Sequence, residues 1–338
     1  MRAVVLVGGE GTRLRPLTET IPKPLLPLMD RPSLDHVLDH LTRHGVHEVV
    51  LSSPYLESTF HGFIQARSDP TITWITERQP LGTGGAIVHA MEHLGDEPFF
   101  ALNGDIITDL DLSAMAAFHR ERAADATIAL HHVEDARAFG LVATEPNGRV
   151  VEFREKPEEP VPGDVNAGTY VLEPEALAEW MGSGNVSIER SIFPKLIDAG
   201  RRVFGFVTDA YWIDLGTPQT YLRAHFDILE GEVEGERYAA PFVANGAIVD
   251  HRAHLGRWVV VGAGASVGPG AEIDDSVLHA GAVVEQDGKV VGSILGTGCV
   301  VGTGATVIDS ALGAAARVLP GTRVRGARVS AGAEASDG

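Results

Sequence analysis

The sequence predicts an α/β domain followed by a short-period β-solenoid. From residue 1 to about 230, short β-branched runs alternate with helical patterns, as expected of a sheet carrying helices on its faces. From about residue 244, large apolar residues recur near every sixth position, as at Val261, Val267 and Ile273, then Val301 and Val307, then Val318 and Val324. Over that stretch glycine becomes the dominant spacer. Of the chain's 39 glycines, 16 lie between Gly246 and Gly326, where Trp258 is the one aromatic residue, so each turn of chain must be narrow and tightly cornered.

The elements follow in order. Residues 3–7 form a first strand that runs directly into a glycine loop. Residues 33–44 form a helix with Leu34, Val37, Leu38 and Leu41 on its apolar stripe. His36, His40 and His44 recur at helical spacing on the other side. They imitate metal ligands, but with no HExxH or CxxC pattern they are expected to face solvent or a partner subunit. Strands at 48–52, 72–76, 98–102 and 127–132 alternate with helices at 57–67, 84–94 and 112–123. The acidic, glycine-containing stretch from Glu230 to Tyr238 suits a linker. In the solenoid the spacing slips around Val277 to Val291, which predicts an irregular coil or a small excursion there. The last eight residues, AGAEASDG, read as a disordered tail. The expected division is therefore 1–230, a linker at 231–243, the solenoid at 244–330 and the tail at 331–338.

Composition narrows the function. At 338 residues the chain exceeds the size at which one core keeps growing, so two domains are expected. With 27 basic against 46 acidic residues, the net charge of -19 opposes a surface that grips nucleic acid or an anionic membrane, so any anion must be held locally. The first 31 residues run the other way, with Arg2, Arg13, Arg15, Lys23 and Arg31 against Glu10, Glu19 and Asp30. The single cysteine, Cys299, cannot form an internal disulfide and reads as a buried filler. No apolar run approaches the roughly 18 residues of a membrane helix, and the start lacks a signal-peptide pattern, so a cytoplasmic location is expected.

The strongest local signal is the run VGGEGTRLRPLT at 7–18. Val7, Gly8, Gly9, Gly11 and Thr12 place a flexible loop after a strand, where consecutive backbone N–H groups can converge on phosphate oxygens. Arg13 and the Pro22-Lys23-Pro24 segment add positive charge on stiff backbone. Neither the Walker order GxxxxGK[ST] nor the dinucleotide pattern GxGxxG is present.

With IPKPLLPL at 21–28, PLGTGGA at 80–86, LNGD at 102–105, FGLV at 139–142, FREKP at 153–157, NAGTYV at 166–171, SIERSIFP at 187–194 and YWIDLGTP at 211–218, the chain resembles the sugar-phosphate nucleotidyltransferases, and among them the mannose-1-phosphate guanylyltransferases. The resemblance implies a Rossmann-like nucleotidyltransferase domain, a mixed sheet flanked by helices, followed by a left-handed β-helix of hexapeptide-like repeats. It implies an enzyme joining a sugar 1-phosphate to a nucleoside triphosphate with release of pyrophosphate. The nucleophile comes from the substrate, since a phosphate with a second pKa near ~6 is already largely ionised at neutral pH. Catalysis should therefore reside in alignment and charge neutralisation.

By resemblance, Asp105 and Asp214 jointly hold Mg²⁺, while Arg13 and Lys23 neutralise the β- and γ-phosphates and the leaving pyrophosphate. Pro80, Gly82, Thr83, Asn103 and Gly104 complete the nucleotide side. Lys156 is similar to the family's sugar-phosphate lysine and Glu155 to its sugar-hydroxyl acceptor. Asn166 and Gly168 match the sugar-contacting loop, and Gly140 the backbone that approaches the sugar. Glu77, by its spacing from Gly82, sits where the family reads the base. One carboxylate can accept N1–H and the exocyclic amine of guanine together, which favours GTP; uracil or thymine would suit Gln better. The alternatives are the same chemistry with UTP, dTTP or ATP, another sugar such as a heptose or cyclitol phosphate, and a non-catalytic regulatory paralogue. The β-helix shows no acyltransferase residue set and is read as a structural or oligomerising module, so a homo-oligomer is expected.

Overall fold

The computed structural model describes residues 1–54 and 57–336. The chain forms two compact units. One comprises Met1–Gly9 and Val37–Trp212, the other Glu10–His36 and the chain from Ile213 onward.

The first unit is built on a mixed sheet. Strand Ala3–Leu6 lies in its centre, parallel to Glu48–Ser53 on one side and Phe99–Asn103 on the other, with Thr71–Thr76 parallel beyond Glu48–Ser53. Ala3–Leu6 and Phe99–Asn103 read as near-continuous apolar runs because parallel strands inside a sheet are covered on both faces, and Ala3, Val4 and Val5 are completely buried; Thr71–Thr76, at the sheet edge, interleaves threonine with apolar residues. Past Phe99–Asn103 the sheet turns antiparallel through Gly163–Leu172, which also pairs with Ala126–Val133. Gly140–Thr144, Val150–Glu155 and Val203–Val207 complete it, beyond the five strands named from the sequence. Helices Ser33–Arg43, Glu57–Gln65, Gly82–Ala90 and Leu112–Glu121 fall where the periodicity places them. The core gathers Val4, Val50, Phe99, Ile128, Tyr170 and Phe193.

One expectation about the first helix is corrected. Leu34, Val37, Leu38 and Leu41 are buried as the stripe requires, but His36 and His40 are only 4% exposed and do not face solvent. An apolar stripe marks one buried face without exposing the opposite one, because a hydrogen-bonded imidazole can also be buried. His36 joins Glu236 through Nδ1 at 3.0 Å and the Leu28 carbonyl through Nε2 at 3.1 Å. Arg31 donates to the same Glu236 carboxylate at 2.7 Å, so the stretch read as a linker carries a buried acidic anchor.

The second unit contains helix Pro218–Glu230, opened by a reciprocal Thr217–Thr220 capping box and closed by Gly231 at φ 79°. A β-helix of three parallel sheets follows, with six, six and five strands. The spacing slip predicted as an excursion is a regular feature. Phe242 pairs with Val260, 18 residues on, but thereafter Val260, Val277, Ile294, Ala311 and Arg328 pair in steps of 17. The buried residues Val261, Val267, Ile273, Leu278, Val284, Val290, Leu295, Val301 and Val307 show the cause, since one of the three sides is a residue short.

At the short corner, Asp275, Gly292, Asp309 and Gly326 all take positive φ, between 46° and 62°. The following serines form a buried ladder. Ser276, Ser293 and Ser310 each donate to the carbonyl two residues back at 2.6–2.7 Å. Each accepts the backbone N–H of Ser293, Ser310 and Ala327 respectively at 3.0 Å, so the corner amides keep partners.

Strand Glu334–Ala335 pairs with Arg317–Val318, so the helix extends into the segment expected to be a tail; residues 337–338 of that segment lie outside the described residues. Cys299 is buried and donates to the Gly313 carbonyl at 2.8 Å, and burial pushes its thiol up to about 11, which suits a filler. Among the described residues no helix is long and apolar enough to cross a membrane.

Candidate active site

The predicted residues fall into two clusters, one in each unit. In the first unit the loop after the central strand begins with Val7, whose N–H still bonds Ser52 at 3.0 Å. Gly8 lies against Pro54, where an added Cβ would sit 2.5 Å from Cδ, whereas Gly9 faces open space. Gly104 crosses closely over the first strand: its N–H donates to the Leu6 carbonyl at 2.9 Å, and a Cβ there would stand 2.8 Å from that oxygen. This close crossing fixes Asp105 just beyond the carboxyl end of strand Phe99–Asn103, where open α/β sheets collect ligands.

Glu77 is buried, not solvated. Its Oε1 accepts the Ser52 hydroxyl at 3.1 Å and its Oε2 the Leu81 N–H at 3.0 Å, which leaves further lone pairs on each oxygen. Pro80 and Thr83 serve the frame of the site. The Pro80 carbonyl accepts Asn185 at 2.8 Å; Thr83 donates to Glu189 at 2.7 Å and accepts the Ile188 N–H at 3.0 Å. Gly82, at φ 68°, has no room for a side chain against the Val186 carbonyl.

Glu155 and Lys156 end strand Val150–Glu155 with Nζ and Oε1 3.7 Å apart. Burial, with Glu189 nearby, raises the Glu155 pKa above the usual glutamate range despite Lys156 and Arg190. Lys156 holds φ at 50°, an uncommon conformation for a side-chain-bearing residue. Gly140 packs under the Phe153 ring, 3.0 Å by its Cβ direction from Glu155. Asn166 donates to the Tyr170 hydroxyl at 2.8 Å and accepts the Gly168 N–H at 3.0 Å, bracing a bulge in which Gly168, at φ 71°, sits against Asn103. Two contributors were not anticipated. Trp212 donates to the Ala167 carbonyl of this bulge at 2.9 Å and stacks on His131; Glu189 ties Thr83 to Ser187. Both lie in conspicuous blocks, YWIDLGTP and SIERSIFP, whose residues are the only sequence signal.

In the second unit Gly11 (φ 60°) turns the chain into the short helical turn Thr12–Leu14, and Thr18 donates to the Gly11 carbonyl at 2.7 Å. Arg13, two-thirds exposed, stands 3.8 Å from Asp214 Oδ2; Lys23, buried in its own turn Lys23–Leu25, stands 3.6 Å from Asp214 Oδ1. Gly216 permits this, since a Cβ there would strike the Arg13 guanidinium at 2.8 Å. Two cations thus meet at the Asp214 carboxylate, a local concentration of positive charge in an acidic chain.

No three His, Cys, Asp or Glu side chains gather into a metal cluster among the described residues.

A glycine loop after the first strand, a paired-cation cluster and an appended β-helix define a nucleotidyltransferase. Residues 2–231 match the Nucleotidyl transferase family and residues 239–336 match the GMPPB C-terminal domain, and the chain belongs to the Nucleotidyl transferase family. Its three-sheet coil is the left-handed β-helix expected from the resemblance. The chain is 40% identical to the mannose-1-phosphate guanylyltransferase of Mycobacterium tuberculosis, with 84% of this chain and 81% of the relative covered. It is 34% identical to mannose-1-phosphate guanylyltransferase 1 of Arabidopsis thaliana, over 82% and 79%, and 34% identical to the catalytic subunit beta of the enzyme of Danio rerio, over 76% and 73%. Among solved structures, HddC from Yersinia pseudotuberculosis superposes at a TM-score of 0.59 with 29% identity, over 66% of this chain and 97% of that one. A second HddC structure is a complex with GMP-PN. Members of the family generally use a divalent metal.

Proposed function

We propose that the chain transfers the guanylyl group of GTP to mannose 1-phosphate with Mg²⁺, giving GDP-mannose and pyrophosphate. The observation that carries the chemistry is the pairing of Arg13 and Lys23 about Asp214. The names of the relatives, the GMP-PN complex of HddC and the buried Glu77 carboxylate support the guanine base.

A phosphate oxygen of the sugar phosphate attacks the α-phosphorus, the bond from that phosphorus to the bridging oxygen breaks, and pyrophosphate leaves with the electron pair. Arg13 and Lys23 neutralise the departing charge. Gly8, Gly9, Gly11 and Thr12 offer backbone N–H groups to the phosphates, Val7 and Asn103 flank them, and Pro80, Gly82 and Thr83 border the base. Lys156 holds the sugar phosphate while Glu155, Asn166 and the backbone at Gly140 and Gly168 position the sugar. Asp105 and Asp214 would hold the Mg²⁺ ion, whose charge offsets that of the triphosphate.

In this reading the catalytic domain is 1–230, joined through 231–243 to the β-helix, and the enzyme works in the cytoplasm as a homo-oligomer. Ile248 and Leu319 are exposed apolar residues of the β-helix suited to subunit contact, Ile248 being 70% exposed.

The test is pyrophosphate release with GTP, UTP, dTTP, ATP and CTP, each paired with mannose, glucose and other sugar 1-phosphates, with Mg²⁺ and after chelation. The expected result is metal-dependent release greatest with GTP and mannose 1-phosphate. Silence across the panel would overturn the enzyme reading, and preference for another pair would reassign the substrates.

A further inference from the structure

One face of the β-helix touches the loop that carries Arg13. Leu14 and Leu17, on the underside of that loop, are buried in a cluster with Leu26, Tyr221 and the β-helix residue Ile294. Pro16 lies over Gly313, where an added Cβ would meet its Cβ at 3.1 Å. Arg328 donates through one guanidinium nitrogen to the carbonyls of Arg13 at 2.8 Å and Arg15 at 3.1 Å. Glu19 closes the other end of the loop, accepting the Ser330 hydroxyl at 3.2 Å and the Ala331 N–H at 2.7 Å.

These contacts come from one side of the coil. Ile294 lies in strand Ile294–Leu295, Gly313 directly follows Ala311–Leu312, and Arg328 opens Arg328–Val329; the three strands are successive neighbours in one sheet. The apolar contacts seat the loop, but they are nondirectional and do not by themselves set its orientation. The Arg328 bonds are directional and charge-assisted, and one falls on the carbonyl of Arg13 itself.

We propose that the β-helix positions the phosphate-binding loop, with Arg328 and Glu19 as positioning residues that fix the direction of the Arg13 guanidinium. The β-helix is then part of the catalytic apparatus and not solely a structural or oligomerising module. The loop starts its helical turn from Gly11 in a left-handed conformation, which alone does not hold one geometry. The coil supplies the missing constraint at both ends of the loop. The kinetic part of this inference rests on the transferase reading above; the tether itself does not.

The experiment compares Arg328→Ala, Arg328→Lys and Glu19→Gln with wild type, with Arg325→Ala on the exposed rim of the same coil as control. Amide hydrogen exchange of residues 10–20 reads the tether, and steady-state kinetics with thermal midpoints read its consequence. Arg328→Ala is expected to speed exchange in residues 10–20 and to lower kcat/KM for the triphosphate by about tenfold, since small misplacements of aligned groups are costly. The KM for the sugar phosphate and the thermal midpoint should stay near wild type. Arg328→Lys should recover most of the loss, because its ammonium can donate to both carbonyls.

Unchanged exchange in Arg328→Ala would overturn the tether. Faster exchange with unaltered kcat and KM, or a loss of activity that tracks only a lowered thermal midpoint, would overturn the positioning role. A wild-type chain without turnover on any substrate pair would sink the transferase reading and the positioning role together, and the exchange measurement would still decide whether the coil holds the loop.

Discussion

At the scale of single residues, the sites most legible in the sequence were those whose chemistry needs a particular residue type. Glycines 8, 11, 82, 104 and 168 stand where a side chain would collide or where φ is positive, and the two cations Arg13 and Lys23 do meet at one carboxylate. Residue type could not show what else a side chain is bonded to. Thr83 and Asn166 spend their hydrogen bonds on the frame of the site, and Glu77 spends part of its capacity holding Ser52 and Leu81. Glu77 also supplies a clean test of base recognition. In Glu77→Gln the amide oxygen can still accept the Leu81 N–H, and the Ser52 hydroxyl can reverse its role to accept the amide N–H. The fold should therefore survive while guanine loses one of its two acceptors. We expect kcat/KM for GTP to fall about tenfold or more against UTP, a loss of the order of one hydrogen bond to a charged group. Competition kinetics with the two nucleotides measure this, and an unaltered GTP preference would remove Glu77 from base recognition.

At the scale of elements, hydrophobic period located the first strands and helices and the existence of the coil, since both depend on where apolar side chains must be buried. It failed where burial is polar. Apolar residues near every sixth position marked the three-sided coil, and its short side therefore looked like an irregularity; the serine ladder that satisfies the short corner carries no hydrophobic signal. The histidines were misread for the same reason. Helix Pro218–Glu230 carries the buried His225, bonded to the Tyr221 carbonyl at 2.9 Å, and the Tyr221 hydroxyl donates to the Pro27 carbonyl and meets His279 of the coil at 2.9 Å. Burial lowers His225 to about 3 and His279 to about 4. The unfolded chain takes up these protons near the ordinary value of 6.5 and the folded chain does not, so stability is full above that value and falls as pH drops towards 4. Each histidine should contribute about 1.4 kcal/mol per pH unit to that slope. Urea midpoints between pH 7.5 and pH 5 check the trend, and His279→Gln should flatten it by about one proton. A profile that is level over this range, or equally steep in the variant, would show that these imidazoles are protonated in the folded chain.

At the scale of the molecule, the order of a glycine loop, an α/β sheet and a three-sided coil was legible because each part has its own periodicity and composition. The contact units were not. Residues 10–36 group with the coil and not with the sheet that follows them in sequence, because their buried leucines and the ion pairs of Arg31 and Asp214 are made there. No local pattern announces such a long-range grouping. In the proposed transferase, Asp214, set between Arg13 and Lys23, and Asp105, at the end of its strand, serve the transfer of a nucleotidyl group through a bound divalent cation. Asparagine is the informative substitute, since its amide keeps the shape of the side chain and an oxygen acceptor facing Lys23, both of which alanine would remove. The decisive measurement is metal-dependent pyrophosphate release by Asp105→Asn and Asp214→Asn beside wild type at matched folded fraction. A fall of about a hundredfold or more is expected in each variant. Metal-dependent release near the wild-type rate in both would contradict it.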